Sequence, residues 1–279
     1  MAELVGRSAA GRKKATPASL ALRSVAVLYV GLLVLTPVVI ILYRAFEPGL
    51  DTFFDALRSK QAVHAFQVTA IVALWSVAIN TVFGIVVGIL LARYRFWGSR
   101  LLSAFVDLPV AISPIVVGLA LLLVYGPSGW FGPFLDDHGV HVIAAKPGMI
   151  MATVFVSLPL VVRAVVPVLE QVGMEQEEAA ASLGAGAFTR LRRITLPTIR
   201  IALTYGVVLS LARCIGEYGA VLVVSNNIEG HTETAPLRVG NQVETALNYN
   251  AAYAITFVLM LVTFVAILTS TWIRRRKVG

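Results

Sequence analysis

The residues able to do chemistry are few, and several sit where water is scarce. Arg213 and Glu217 lie four apart in the apolar run Leu211 to Ala220, LARCIGEYGA. Ionisable side chains in such a run are costly, and they face a protein interior or a water-filled cavity. A guanidinium there can attract an anion. It can equally be neutralised by Glu217, within i,i+4 reach, or by a neighbouring chain. The internal pair is the favoured reading, because an unpartnered buried charge is expensive. Asp107 and Ser113 mark a second special stretch. Pro109 and Pro114 are expected to kink or break a helix there, and the freed carbonyls must be buried in protein or wetted by a cavity. A transport pathway and a merely kinked helix start both fit. Arg163 falls in another apolar run, from which its long side chain can snorkel to the interface.

The other candidates point away from metal and covalent chemistry. His138 and His141 lie near Asp136 and Asp137, but two loop histidines without a third partner read as solvated residues. Cys214 is the one cysteine, so no disulfide forms within the chain. The stretch Gly6 to Lys14, GRSAAGRKK, approaches G-x-x-x-x-G-K but lacks its Lys-Ser/Thr ending and a preceding strand. No H-E-x-x-H or G-x-S-x-G pattern occurs. No catalytic residue, metal or bound cofactor is therefore expected. If ATP drives this protein, another chain holds the nucleotide and its magnesium.

Composition says where these groups must sit. The chain is 58% hydrophobic and 14% charged, with a mean hydropathy of +0.82. Soluble domains carry roughly 25% charge, so multiple membrane spans follow. Six apolar runs reach the roughly twenty residues that a bilayer demands. They lie near 22–43, 68–91, 104–125, 149–169, 201–224 and 253–273. The expectation is an all-α polytopic membrane protein with six transmembrane helices. The first run follows Arg7, Arg12, Lys13, Lys14 and Arg23, and is too long for a signal peptide, so it reads as an uncleaved span. Sixteen Lys and Arg fall in the N-terminus, the 92–103 and 170–200 loops and the C-terminal tail, against five in the other three loops. That bias places both termini and the 170–200 loop in the cytoplasm. The net charge of +8 is thereby read as orientation in lipid, and no nucleic acid partner is implied. Span two carries Asn80, Gly84, Gly88 and Ala92 at four-residue spacing. This small face reads as close helix packing in preference to a pore lining.

One polar stretch between two apolar runs is unusually ordered. In residues 175–197, Glu175, Glu177 and Glu178 sit where a helix dipole favours negative charge, and Ala179, Ala180 and Ala181 favour the helix. Gly184 and Gly186 allow a turn, Phe188 to Ile194 reads as a second helical stretch, and Pro197 punctuates the start of the next run. Glu178-Ala179-Ala180, Gly184, Ile194 and Leu196-Pro197 together resemble the EAA loop of permease subunits in bacterial binding-protein-dependent ABC importers. The run Arg213 to Val221 resembles the sulfate and molybdate branch of those permeases. Glu233-Thr234-Ala235-Pro236-Leu237 resembles T-E-T-L-P-L of CysW-type sulfate permeases, with Ala235 in place of Leu. Asp107-Leu108-Pro109 with Ser113-Pro114 resembles their D-L-P-F-[SA]-[VI]-S-P, with Val110 in place of Phe.

The resemblance implies a type I ABC importer permease fold in a bacterial plasma membrane. It divides the chain into a basic cytoplasmic segment (1–21), a first transmembrane helix and outward loop (22–65), a core permease domain (66–273) and a cytoplasmic tail (274–279). It implies a second, CysT-type permease subunit, two ATPase subunits and an extracytoplasmic sulfate-binding protein, with membrane lipid around the spans. Glu178, Ala179, Ala180, Ser182, Leu183 and Gly184 would meet the ATPase, and sulfate or thiosulfate would be imported. Molybdate or tungstate is the rival substrate within the same machine. A secondary anion carrier is the rival of another class, but it leaves the EAA loop unexplained and no inverted repeat is visible.

Overall fold

The computed structural model describes residues 17–275. Arg7, Arg12, Lys13, Lys14, the Gly6–Lys14 stretch and the tail beyond Arg275 lie outside the described residues. Among the described residues the regular structure is all helical, joined by short connections. The helices are α1 (Pro17–Phe46), α2 (Leu50–Arg58), α3 (Lys60–Arg93), α4 (Ser99–Ala111), α5 (Pro114–Tyr125), α6 (Gly132–Asp137), α7 (Lys146–Val172), α8 (Glu175–Ser182), α9 (Ala187–Arg190), α10 (Leu196–Ile215), α11 (Gly219–Ser225), α12 (Ala235–Glu244) and α13 (Tyr249–Arg275).

The centre of the bundle is the pair α3 and α7. Lipid offers no hydrophobic push between helices, so close backbone approach does the work. Gly84 and Gly88 supply it: a Cβ on Gly84 would lie 2.5 Å from Val161 Cγ1, and one on Gly88 3.2 Å from Val165 Cγ1. Asn80 Nδ2 donates to Ser157 Oγ at 2.7 Å, fixing the register at the same face. The small-residue stripe of span two is thus a packing surface. Around it, Val68, Val72, Val117, Met149, Ala152, Val156, Val221 and Leu237 form a core shared by α3, α5, α7, α11 and α12.

Among the described residues five helices are long and apolar enough to cross a membrane, and a sixth span arises when α4 and α5 are taken together. That third span is bent by 112°. The break falls at Ile112 and Ser113, both extended; Pro114 disfavours the helical region for Ser113 before it and has no N–H to continue α4. Pro109 stays inside α4.

Two further spans differ from expectation. The helix before the fifth span starts at Ala187 and runs to Ile215 through a π turn, Leu191–Thr195. Pro197 has no N–H to give to Arg193, and widening the preceding turn accommodates it. The expected span 201–224 is then interrupted at 216–218, between α10 and α11. After the first span, α2 stands where an outward loop was expected, and α3 begins at Lys60 with Ser59 accepting a hydrogen bond from Ala62 N–H at 3.3 Å.

Replacing Gly84 by Leu forces α3 off α7. In detergent it is expected to cost about 2 kcal/mol of stability, read as a lowered melting temperature. Gly31→Leu, where nothing lies within 4 Å, should leave the melt unchanged.

Candidate functional site

Two regions gather the predicted residues. The first is the α8 loop. Helix α8 buries none of its residues. Eight residues are too few for a stable isolated helix, so its ends must hold it. At its C-terminus Gly184 takes a left-handed conformation, φ +85°. Gly184 N–H reaches Ala181 O and Ala185 N–H reaches Ala180 O, both at 2.9 Å, which closes the helix in a Schellman motif. At the other end Glu177 Oε1 accepts from Arg93 Nη2 at 3.2 Å and from Thr195 Oγ1 at 2.9 Å. Arg93 Nη1 also donates to Leu169 O at 2.7 Å. The last residue of α3, the last turn of α7, helix α8 and the π turn therefore converge on one junction.

Held in this way, the loop presents Glu178, Ala179, Ser182, Leu183 and Gly184 outward, with Ala180 half-buried. Leu183 is 89% exposed and Phe188 73% exposed. Two bared apolar side chains flanking a glycine turn make a surface suited to a protein partner. Sequence reasoning found the helix and its stop. It missed the junction, because Arg93 read only as an orienting charge and Glu177 only as a dipole complement.

The second region is the pair of breaks in spans three and five. They meet: a Cβ on Gly219 would lie 3.1 Å from Ile115, and one on Gly118 2.7 Å from Ala220 O. Half-helices α5 and α11 thus dock on each other. Glu217 spans the break between α10 and α11. Its Oε1 accepts from Ala220 N–H at 2.8 Å, and its Oε2 lies 2.6 Å from Arg213 Nη1. The side chain of Glu217 is 3% exposed and that of Arg213 37%. Glu217 lies beyond the end of α10, so the pair bridges a break where one continuous helical face was expected. Arg213 lines a cavity of about 300 Å³ with Pro109, Ile112, Pro114, Val156 and Pro159, next to the break of span three.

Asp107 lies apart from this cavity. Arg163 reaches it with Nε at 2.7 Å and again through Nη2, which also contacts Ser103 Oγ at 2.9 Å. This bidentate pair ties α4 to α7 and gives Arg163 a partner in place of snorkelling. Ser113 is exposed at the break itself. Of the loop histidines, His141 pairs with Asp136 at 3.1 Å while His138 turns to Phe134 O at 2.7 Å.

Between α11 and α12, Glu233 is buried. Its Oε1 accepts from Asn241 Nδ2 at 2.6 Å and its Oε2 lies 3.4 Å from Arg238 Nη1. Burial pushes its carboxyl above the ordinary range, opposed by the Asn241 bond and by Arg238.

The chain matches the family described as "Binding-protein-dependent transport system inner membrane component" over residues 84–279. It is 44% identical over 236 residues to "Sulfate transport system permease protein CysW" of Synechococcus elongatus, covering 84% of this chain and 82% of that one. It is 41% identical over 235 residues to the protein of the same name in Escherichia coli, covering 83% and 81%. In three dimensions it resembles a chain of a bacterial ABC transporter involved in the import of the acidic polysaccharide alginate. The TM-score is 0.77, with 18% identity, 93% of this chain and 96% of that one covered. At that identity the likeness shows the fold, a type I ABC importer permease.

Two outcomes follow. Arg213→Met strands a buried carboxylate and should cost about 2 kcal/mol, after discounting for the exposed part of Arg213. Glu217→Gln, which can still accept from Ala220, should cost less in the same detergent melt. Glu233, with a raised folded pKa, favours the fold most below its unfolded pKa, and that advantage is lost as pH rises through the folded value. Glu233→Gln should therefore flatten the pH dependence of the melt between acid and neutral pH, with its gain over wild type largest at neutral pH.

Proposed function

Because this chain belongs to the family of binding-protein-dependent transport system inner membrane components, we propose that it is the membrane-spanning permease subunit of an ATP-driven importer that passes sulfate and thiosulfate. The observation that carries this reading is the α8 surface: a helix with no buried residue, stopped at Gly184 and flanked by bared Leu183 and Phe188. It is an exposed contact surface on an otherwise membrane-embedded bundle. The sulfate assignment is supported by the names of the relatives and by the Arg213 to Val221 run.

In this reading both termini and α8 face the cytoplasm of a bacterial cell, as the Lys and Arg bias supports. Two ATPase subunits dock there and hold ATP and magnesium; this chain performs no chemistry of its own. Glu178, Ala179, Ala180, Ser182, Leu183 and Gly184 form the contact. A CysT-type subunit supplies the other half of the pathway. A soluble binding protein delivers the anion to the far side. Small residues suit the contact, because close backbone approach makes it stiff.

The broken spans form the passage in this reading. Arg213 turns a partly exposed guanidinium into the cavity beside Ser113, while Glu217 cancels most of its charge. A pathway must bind well enough to admit an ion and weakly enough to release it. A half-neutralised arginine meets both demands for a divalent oxyanion. Asp107, locked to Arg163, acts as a strut between α4 and α7.

Uptake of labelled sulfate and of labelled molybdate is to be measured in cells lacking the gene, and again after its return. Loss and recovery of sulfate uptake alone is the expected result. Loss of molybdate uptake alone would keep the importer and move the substrate to the molybdate and tungstate class. Gly184→Trp should abolish uptake while the protein remains in the membrane, because the left-handed backbone rejects a side chain and the contact surface is blocked.

A further inference from the structure

The junction at Arg93 is costly in a way that stability does not explain. The side chain of Arg93 is 4% exposed and that of Glu177 13%. Arg93 Nε is buried without a hydrogen-bond partner. A buried ion pair gains little over well-packed apolar residues, and an orphaned donor makes it worse. What the pair does supply is connection. Among the described residues, Glu177 is the only α8 side chain with a hydrogen bond to another helix. Its single oxygen Oε1 takes one bond from the end of α3 and one from the π turn, while Arg93 holds the last turn of α7 through Leu169 O.

We infer that Arg93, Glu177 and Thr195 are positioning residues that make the α8 surface move as one body with the ends of α3 and α7. The inference rests on the proposed importer function and adds to it the route by which displacement of α8 reaches the spans. Helix α8 buries no side chain completely, so a load on its exposed face is resisted mainly by its chain connections and by this junction. With the junction intact, a shift of α8 must drag α3, α7 and the start of α10. With the junction cut, α8 can tilt on its chain connections at Gly173 and Gly184, both with positive φ, while the spans stay where they are. Nucleotide hydrolysis would then run without moving the anion.

The test uses the full transporter, with both permease subunits, the ATPase and the binding protein, reconstituted in liposomes. The quantity read is ATP hydrolysed per sulfate imported. Glu177→Gln is nearly isosteric and removes the charge; Arg93→Met removes both donors. Each is expected to raise the ratio about fivefold, in line with the effect of single residues on coupling between distant sites. Arg93→Lys keeps the charge but cannot reach both acceptors, and should recover part of the loss. Thr195→Val should shift the ratio in the same direction by less.

An unchanged ratio in Glu177→Gln and Arg93→Met overturns the inference. So does an equal fall in hydrolysis and import, which is what a structural role alone produces. Failure of every variant to assemble would also make the junction a folding element and overturn it. If the wild-type complex hydrolyses ATP without importing sulfate, the substrate assignment fails first. Repeating the ratio with molybdate then tests the junction on its own terms, with the same expected rise and the same overturning result.

Discussion

Everything in this bundle is referred to the valine-rich middle of α7, where backbones approach from two sides. Gly84 and Gly88 of α3 bring one helix onto Val161 and Val165. From the other side Gly206 of α10 comes in: a Cβ there would lie 2.9 Å from Ala164 Cβ and 3.1 Å from Val161 Cα. Dispersion falls away steeply with distance, so in a solvent as apolar as the side chains this clasp is the main source of cohesion. It also sets geometry. With α3 pressed to α7 along its length, Arg93 at the end of one arrives beside Leu169 O at the end of the other.

The broken spans are the counterpart to this rigid middle. Helices α5 and α11 are too short to cross a bilayer alone, and each leaves backbone groups open at its break. They are stable because they lie on each other and on α7, and because Glu217 satisfies the Ala220 amide. Charge is handled alike in both places. Arg213 has Glu217 and Asp107 has Arg163, so both of these charges near the breaks are met inside the chain. The cavity beside the breaks is lined mainly by apolar side chains, and Glu217 offsets the charge that Arg213 brings to it.

Much of this was legible in the residues. The six apolar runs, the break near Pro114, the helix stop at Gly184 and the packing role of Gly84 and Gly88 all follow from local rules. Hydropathy, proline sterics, positive φ and the spacing of small side chains act over a few residues, and the sequence displays them directly. The Arg213–Glu217 pair was also readable, since the partners are four apart. What escaped was set by distance in the chain. Nothing local tells Asp107 that Arg163 will arrive, or Glu177 that Arg93 will. The interruption at Glu217 escaped for another reason: the run from Ile201 to Val224 is mostly apolar on both sides of Glu217, so a hydropathy reading joins two helices that a glycine pair and a capping carboxylate separate. The π turn before Pro197 escaped because a proline near a helix start normally reads as its first turn.

Helix α1 has a consequence for how the protein is made. The apolar stretch of α1 buries nothing in the bundle. Its buried contacts lie at one end, where Ala45 and Phe46 meet Phe53 of α2 and Ala254 and Phe257 of α13. Those last partners are synthesised nearly the whole chain later. During insertion α1 therefore meets α2 at once, but its contacts with α13 must wait until the last helix arrives. The late aromatic contact of Phe46 with Phe257 then closes the chain upon itself. The first helix of the bundle is thus one whose packing the last helix completes.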